Sequence, residues 1–218
     1  MIFQLDDTNI DFPDPALAEE DGLLAVGGDL SHERLLLAYS YGIFPWYSDD
    51  EPICWFSPHE RCVIFPERIH ISKKMRKILQ QQTFRISYDE AFDRVIASCK
   101  AINRKDQPGT WITDEMEAAY NDLHRSGVAH SVEVWQDEKL AGGIYGLVIN
   151  KVFCGESMFS EKANASKAAL IWLCTDNTFS LIDCQVPNDH LMSMGAEMIS
   201  REQYLKILRK EFLPQRKD

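Results

Sequence analysis

Between residues 131 and 160 the spacing of apolar side chains changes from helical to alternating, and nothing else in the chain constrains its fold as strongly. Val132 and Val134 alternate with Ser131, Glu133 and Trp135, which predicts a half-buried strand. Asp137-Glu138-Lys139 reads as a turn into a second strand, Leu140–Ile149. Asn150-Lys151 reads as another turn into a third, Val152–Phe159. Connections this short join antiparallel neighbours, so the three strands form a meander.

Helical periodicity lies on either side. Residues 72–82 predict a helix capped by Ser72, with Met75, Ile78 and Leu79 inward; residues 88–100 predict another through Phe92, Val95, Ile96 and Cys99. Thr113 opens a third, with Met116, Tyr120 and Leu123 inward and Gly127 at its end. After the meander come an apolar helix at Ser166–Cys174, a strand at Ser180–Val186 and a last helix. Ser200 and Gln203 form a capping box for that helix, and Tyr204, Leu205 and Leu208 form its apolar face. The first 60 residues differ. They are rich in Pro, Gly and aromatics and predict one helix, capped by Ser31, with Leu35, Leu36 and Tyr39 inward and Gly42 as its stop. The expectation is an α+β protein with a small domain over 1–60 and a larger one over 61–218. The element order of the larger one is similar to the acetyltransferase-like (GNAT-like) fold.

Of the 218 residues 45% are apolar and 26% charged, as in soluble globular proteins. The N-terminal residues do not read as a signal peptide and no run reaches about 18 apolar residues, so a soluble, cytoplasmic protein is expected. The six cysteines contain no C-x-x-C pair and predict reduced, mostly buried thiols; no metal or other cofactor is expected. The net charge of −11 excludes a broadly basic nucleic-acid coat but leaves room for one local basic strip.

Lys73, Lys74, Arg76 and Lys77 form such a strip, at the start of a helix. Cations there oppose the helix dipole, at a few tenths of a kcal/mol or more each. The same place suits phosphates, although a solvated basic face is the alternative. Trp111 follows a Pro-Gly turn and serves either as a staple into the core or as a platform for a base. In Phe153–Ser160, simple alternation puts Phe153, Gly155, Ser157 and Phe159 on one face and Cys154, Glu156, Met158 and Ser160 on the other. Glu156 in an apolar strand demands a partner or a function, and Gly155 admits a close neighbour. Cys154 has no histidine in a local motif, which argues against a nucleophile. Asp183 and Gln185 share one face of a later strand, as a site or as a strand-end cap. Asn164–Lys167 offers a second helix start.

Read together, these segments resemble the leucyl/phenylalanyl-tRNA–protein transferases. The likeness starts at Gly22–Leu30, Gly42–Trp46 and Trp55–Pro58, and continues through His70–Ser72, Gly109–Thr113, His130–Trp135 and Leu140–Gly146. It closes with Phe153–Ser160, Asn164–Leu170, Ile182–Gln185 and Asn188–His190, covering nearly the whole chain in order. The resemblance implies a small domain on a larger GNAT-like one and transfer of Leu, Phe or also Met from aminoacyl-tRNA. The acceptor would be the α-amine of proteins beginning with Arg or Lys, marked thereby for N-end-rule degradation. It implies Leu-tRNA, Phe-tRNA and such proteins as partners, no membrane, and a monomer. By position it implies substrate binding by Trp46, Trp111, Ile144, Phe153, Glu156 and Ser157, with Trp111 stacking on the terminal adenine. Asp183 and Gln185 would act in peptide-bond formation, and the four cations of 73–77 would hold the acceptor stem. Glu161 stands where a basic residue is expected, and Ile144 is β-branched where Met would suit the pocket.

Three other readings compete. An acetyltransferase would need a coenzyme A pyrophosphate loop, and Glu161–Ala165 stands in its place. A ligase building cell-wall peptides from aminoacyl-tRNA would share the general fold. A non-catalytic RNA-binding module fits poorly with the acidic net charge.

Overall fold

The computed structural model describes residues 2–102 and 112–210. In chain order the elements are β1 (Phe3–Leu5), β2 (Leu23–Gly27), α1 (His32–Ser40), β3 (Phe44–Pro45), β4 (Cys54–Phe56), β5 (Glu60–Ile64) and α2 (Lys73–Gln80). Then come β6 (Arg85–Tyr88), α3 (Phe92–Ala101), α4 (Asp114–Arg125), β7 (Ala129–Gln136), β8 (Lys139–Ile149) and β9 (Val152–Ser160). The chain continues through α5 (Ala165–Thr175), β10 (Leu181–Gln185), α6 (Asp189–Ser193), β11 (Glu197–Ser200) and α7 (Arg201–Lys210). The fold is α+β. A four-stranded sheet has the order β1-β2-β4-β3, and a seven-stranded sheet the order β11-β5-β10-β9-β8-β7-β6. The meander β7-β8-β9 is antiparallel as expected, while β9 and β10 are parallel and joined through α5. Among the described residues no helix is long and apolar enough to cross a membrane.

The caps explain several boundaries. Ser72 accepts from the Met75 amide at 3.2 Å and Thr113 from the Met116 amide at 3.1 Å. Ser200 and Gln203 form the reciprocal pair, at 3.0 and 3.2 Å. Ser31 occupies the cap position of α1, but its side chain makes no capping bond.

The structure corrects four expectations. The first 60 residues, expected to hold one helix, also carry strands of two to five residues, too short to display alternation. The helix expected from residue 88 starts at Phe92, because Arg85–Tyr88 pairs with β7 as an edge strand. The strand β7 is buried on both faces rather than half-buried, with Ser131 and Glu133 both inaccessible. Glu133 accepts from the Ser87 and Ser131 hydroxyls at 2.6 and 2.5 Å and from the Glu90 and Ala91 amides at 3.3 Å, so its polarity is satisfied inside.

The fourth concerns β9. Gly146 pairs with Gly155, but Tyr145 pairs with Ser157, so Glu156 is an extra residue, a β-bulge. The bulge inverts the alternation beyond it. Phe153 packs with Met158 in one core cluster, and Cys154 packs with Phe159 in the other. The close approach assigned to Gly155 belongs to its neighbour Gly146, where a Cβ would stand 2.1 Å from the Cys154 carbonyl oxygen.

Candidate active site

Strands β9 and β10 both become irregular at the same height in the sheet. In β10, Asp183 pairs with Val63 and Gln185 with Cys62, leaving Cys184 as the extra residue of a second bulge, and Gln185 takes a φ of 60°. Two bulges side by side turn polar side chains inward that a regular ladder would separate. They open onto a cavity of about 600 Å³. Its apolar wall includes Phe44, Trp46, Ile144, Met158, Leu170 and Leu191; its polar wall includes Glu156, Ser157, Asp183, Gln185 and His190.

Asp183 is fully buried, and its carboxylate is fully engaged. Arg61 on β5 donates to it twice, from Nε at 2.9 Å and Nη2 at 2.8 Å. The Tyr204 hydroxyl of α7 donates at 2.8 Å and the Gln185 amide at 2.9 Å. Arg61 lies between the rings of Phe44 and Tyr204, at 4.7 and 4.6 Å from their centroids, and donates to the Gly42 carbonyl at 3.1 Å. Burial opposes its charge, but Asp183 beside it holds the guanidinium above its ordinary pKa. This is a forked, charge-assisted pair.

Glu156 has different neighbours. Tyr39 of α1 donates to it at 2.6 Å, Tyr120 of α4 at 3.1 Å and the Gln185 side-chain amide at 2.7 Å. The two phenols are 2.5 Å apart. All three partners are neutral. Burial therefore pushes the Glu156 carboxyl up, and the Asp183 charge adds to this. The three hydrogen bonds pull it back only part of the way, to about 7.

Gln185 joins the two carboxylates, by its backbone to Asp183 and by its side chain to Glu156. His190 projects from α6, whose start is fixed by Asn188 capping Leu191 at 2.9 Å. Its Nε2 is buried with no hydrogen-bond partner among the described residues, and burial with the nearby Lys167 charge lowers its pKa.

Of the residues predicted from sequence, Trp46, Ile144, Glu156, Ser157, Asp183 and Gln185 line this one cavity. Phe153 does not. It is buried in the same cluster as Ile144 and packs edge-on against Phe179, with centroids 5.5 Å apart. Trp111 lies outside the described residues. Lys73, Lys74, Arg76 and Lys77 are exposed along α2, away from the cavity lining. Arg61, Tyr39, Tyr120 and Tyr204 were not foreseen as site residues. The helical spacing makes Tyr39, Tyr120 and Tyr204 apolar-face positions, and only the hydroxyl on each hints at more. All six thiols are free, and four of them are buried.

Comparison with known proteins decides the family. A family profile described as leucyl/phenylalanyl-tRNA protein transferase matches residues 63–209, and its N-terminal-domain counterpart matches residues 28–59. The chain belongs to the leucyl/phenylalanyl-tRNA–protein transferase family. It is thus an aminoacyltransferase. A transferase of that name from Desulfatibacillum aliphaticivorans is 54% identical over 200 residues, covering 90% of this chain and 86% of its own. One from Flavobacterium johnsoniae is 51% identical over 201 residues, covering 91% and 95%. Among solved structures, a GCN5-related N-acetyltransferase from Kribbella flavida overlaps 74% of this transferase and 58% of its own chain. That overlap has 9% identity and a TM-score of 0.38.

Proposed function

We propose that this transferase moves leucine or phenylalanine, and also methionine, from the 3′ end of aminoacyl-tRNA to the N-terminal α-amine of proteins beginning with Arg or Lys. The modified protein would then be a substrate for N-end-rule degradation. The observation that carries this reading is the meeting of an apolar wall with Glu156, Asp183 and Gln185 in one cavity.

The aminoacyl ester is already activated. An α-amine has a pKa near 7.7–8.0, so a useful fraction is neutral at pH 7. Holding amine and ester in line can supply about 7–11 kcal/mol of the barrier. The amine nitrogen bonds to the ester carbon, and the bond to the ribose 3′-oxygen breaks. The apolar wall around Ile144, with Phe153 behind it, selects side chains by size at roughly 1–3 kcal/mol per methylene. Trp46 and Ser157 contribute to the substrate cavity, and Trp111 stacks on the terminal adenine.

Asp183 is committed to Arg61, Tyr204 and the Gln185 amide, so its part is to fix Gln185. Since the Gln185 Nε2 donates to Glu156, its Oε1 is turned away and receives an N–H of the incoming amine. Glu156, with its carboxyl near 7, exchanges the proton that the amine releases. The ribose 2′-hydroxyl assists proton delivery to the leaving 3′-oxygen. The α2 cations hold acceptor-stem phosphates.

The test is transfer of radiolabelled leucine from Leu-tRNA to a protein with N-terminal Arg, beside one with N-terminal Ala. Label on the Arg protein alone is expected. Label on neither, with tRNA still bound, would overturn the reading.

A further inference from the structure

The second bulge brings two cysteines to facing positions on paired strands. In a β-bulge two residues of one strand oppose one residue of the other. Here Cys184 and Gln185 together oppose Cys62. Paired strands lie roughly 4.7–4.9 Å apart, inside the Cα separation of about 4.4–6.8 Å that a disulfide bridges. Both side chains pack in one core cluster, and each thiol shifts the acidity of the other. Cys184 also lines the cavity, so small solutes that enter the site reach it. It is flanked by Asp183 and Gln185.

We propose that Cys62 and Cys184 are a reversible oxidation site, and that their disulfide stops aminoacyl transfer by pinning the bulge that sets Gln185. The oxidant class is a small peroxide. The Cys184 sulfur attacks the peroxide and becomes a sulfenic acid, releasing one water. The Cys62 sulfur then attacks that sulfur and expels the second water. Overall, two thiols lose two protons and two electrons, and one hydrogen peroxide becomes two waters.

The two steps differ in ease. The neighbouring Cys62 thiol and burial raise the Cys184 thiol well above the ordinary range, which slows the first step. The Cys184 thiol in turn lowers Cys62, which favours the second. The pair therefore responds to sustained oxidant rather than to a brief pulse. Cross-linking would draw Cys184 toward β5. Gln185, held at a φ of 60° and bonded through its side chain to Glu156, would have to turn with it. The loss of activity rests on the assignment of Gln185 above; the cross-link itself does not.

The experiment treats the full chain with graded hydrogen peroxide, alkylates the remaining thiols, and measures intact mass, peptide map and leucyl transfer. The expected result is a 62–184 cross-link, with alkylatable thiols falling from the six of the reduced chain to four. Transfer should fall at least tenfold and return with dithiothreitol. Cys62→Ser, with Cys62→Ala should the serine variant not fold, should keep its transfer activity in peroxide. The proposal is overturned by oxidation of other thiols with no 62–184 cross-link, by a cross-linked protein that still transfers, or by equal inactivation of the Cys62 variants. A fully reduced protein that transfers nothing would instead sink the assignment of the site, while mass still scores the cross-link.

Discussion

Asp183 and Glu156 face one cavity with the same functional group, yet their surroundings give them opposite characters. Asp183 has a forked arginine, a phenol and a backbone amide. Glu156 has two phenols and a side-chain amide, none of them charged. Both are buried. Asp183 has a cation 2.8 Å away, whereas at Glu156 burial outweighs its neutral donors and raises the carboxyl to about 7. The comparison teaches that the sequence motif containing an acid does not name the group that handles protons. The partners contributed by distant elements do.

The largest effect that could break this contrast comes from Arg61→Met. It leaves Asp183 buried without its cation, and a loss of about 3–5 kcal/mol is expected by urea unfolding. A loss under about 1 kcal/mol would mean that the tyrosine and amide suffice and that the two carboxylates are not so different.

Next comes Glu156→Gln. The folded carboxyl binds its proton up to about 7, above its ordinary 4.5, so the folded state holds more protons than the unfolded one between those values. Stability from this group is therefore fully present below pH 4.5 and is lost as pH rises through 7. The difference is on the order of 3 kcal/mol. The Gln variant should lack that decline in unfolding measured from pH 4.5 to 8. It should also lose the limb near pH 7 in the kcat/KM profile for transfer. An unchanged profile would remove Glu156 from proton handling.

Tyr39→Phe should act in the same direction as its cause. The Tyr39 hydrogen bond lowers the Glu156 carboxyl, so its removal should move the kcat/KM limb to higher pH. A stability loss of about 1–2 kcal/mol at pH 8 should accompany the shift. A limb that stays in place would show that Tyr120 and Gln185 alone set the carboxyl.

The smallest change, and the control, is Lys74→Ala on the exposed face of α2. Neither carboxylate should feel it, and stability should change by only a few tenths of a kcal/mol. The KM for Leu-tRNA should rise severalfold, with a shallower salt dependence. A change in the pH profile instead would tie α2 to the cavity.

What the sequence determined by itself was local. Alternation at 132–159 set the antiparallel meander, and side-chain oxygens at Ser72, Thr113 and Ser200 set helix starts, because both signals are carried by residues a few positions apart. The motif residues Glu156, Asp183 and Gln185 were legible as candidates because polar groups in apolar strands are expensive without a purpose. Which way they point came from pairing between strands. One extra residue in β9 reversed its faces, and one in β10 brought Gln185 to both carboxylates. Folding also delivered Arg61, Tyr39, Tyr120 and Tyr204, whose positions lie 21 to 122 residues from the acids they contact. Pattern along a chain fixes which groups must be buried. The electrostatics of a buried group depend on what folding places within about 3 Å of it, and no local spacing encodes that.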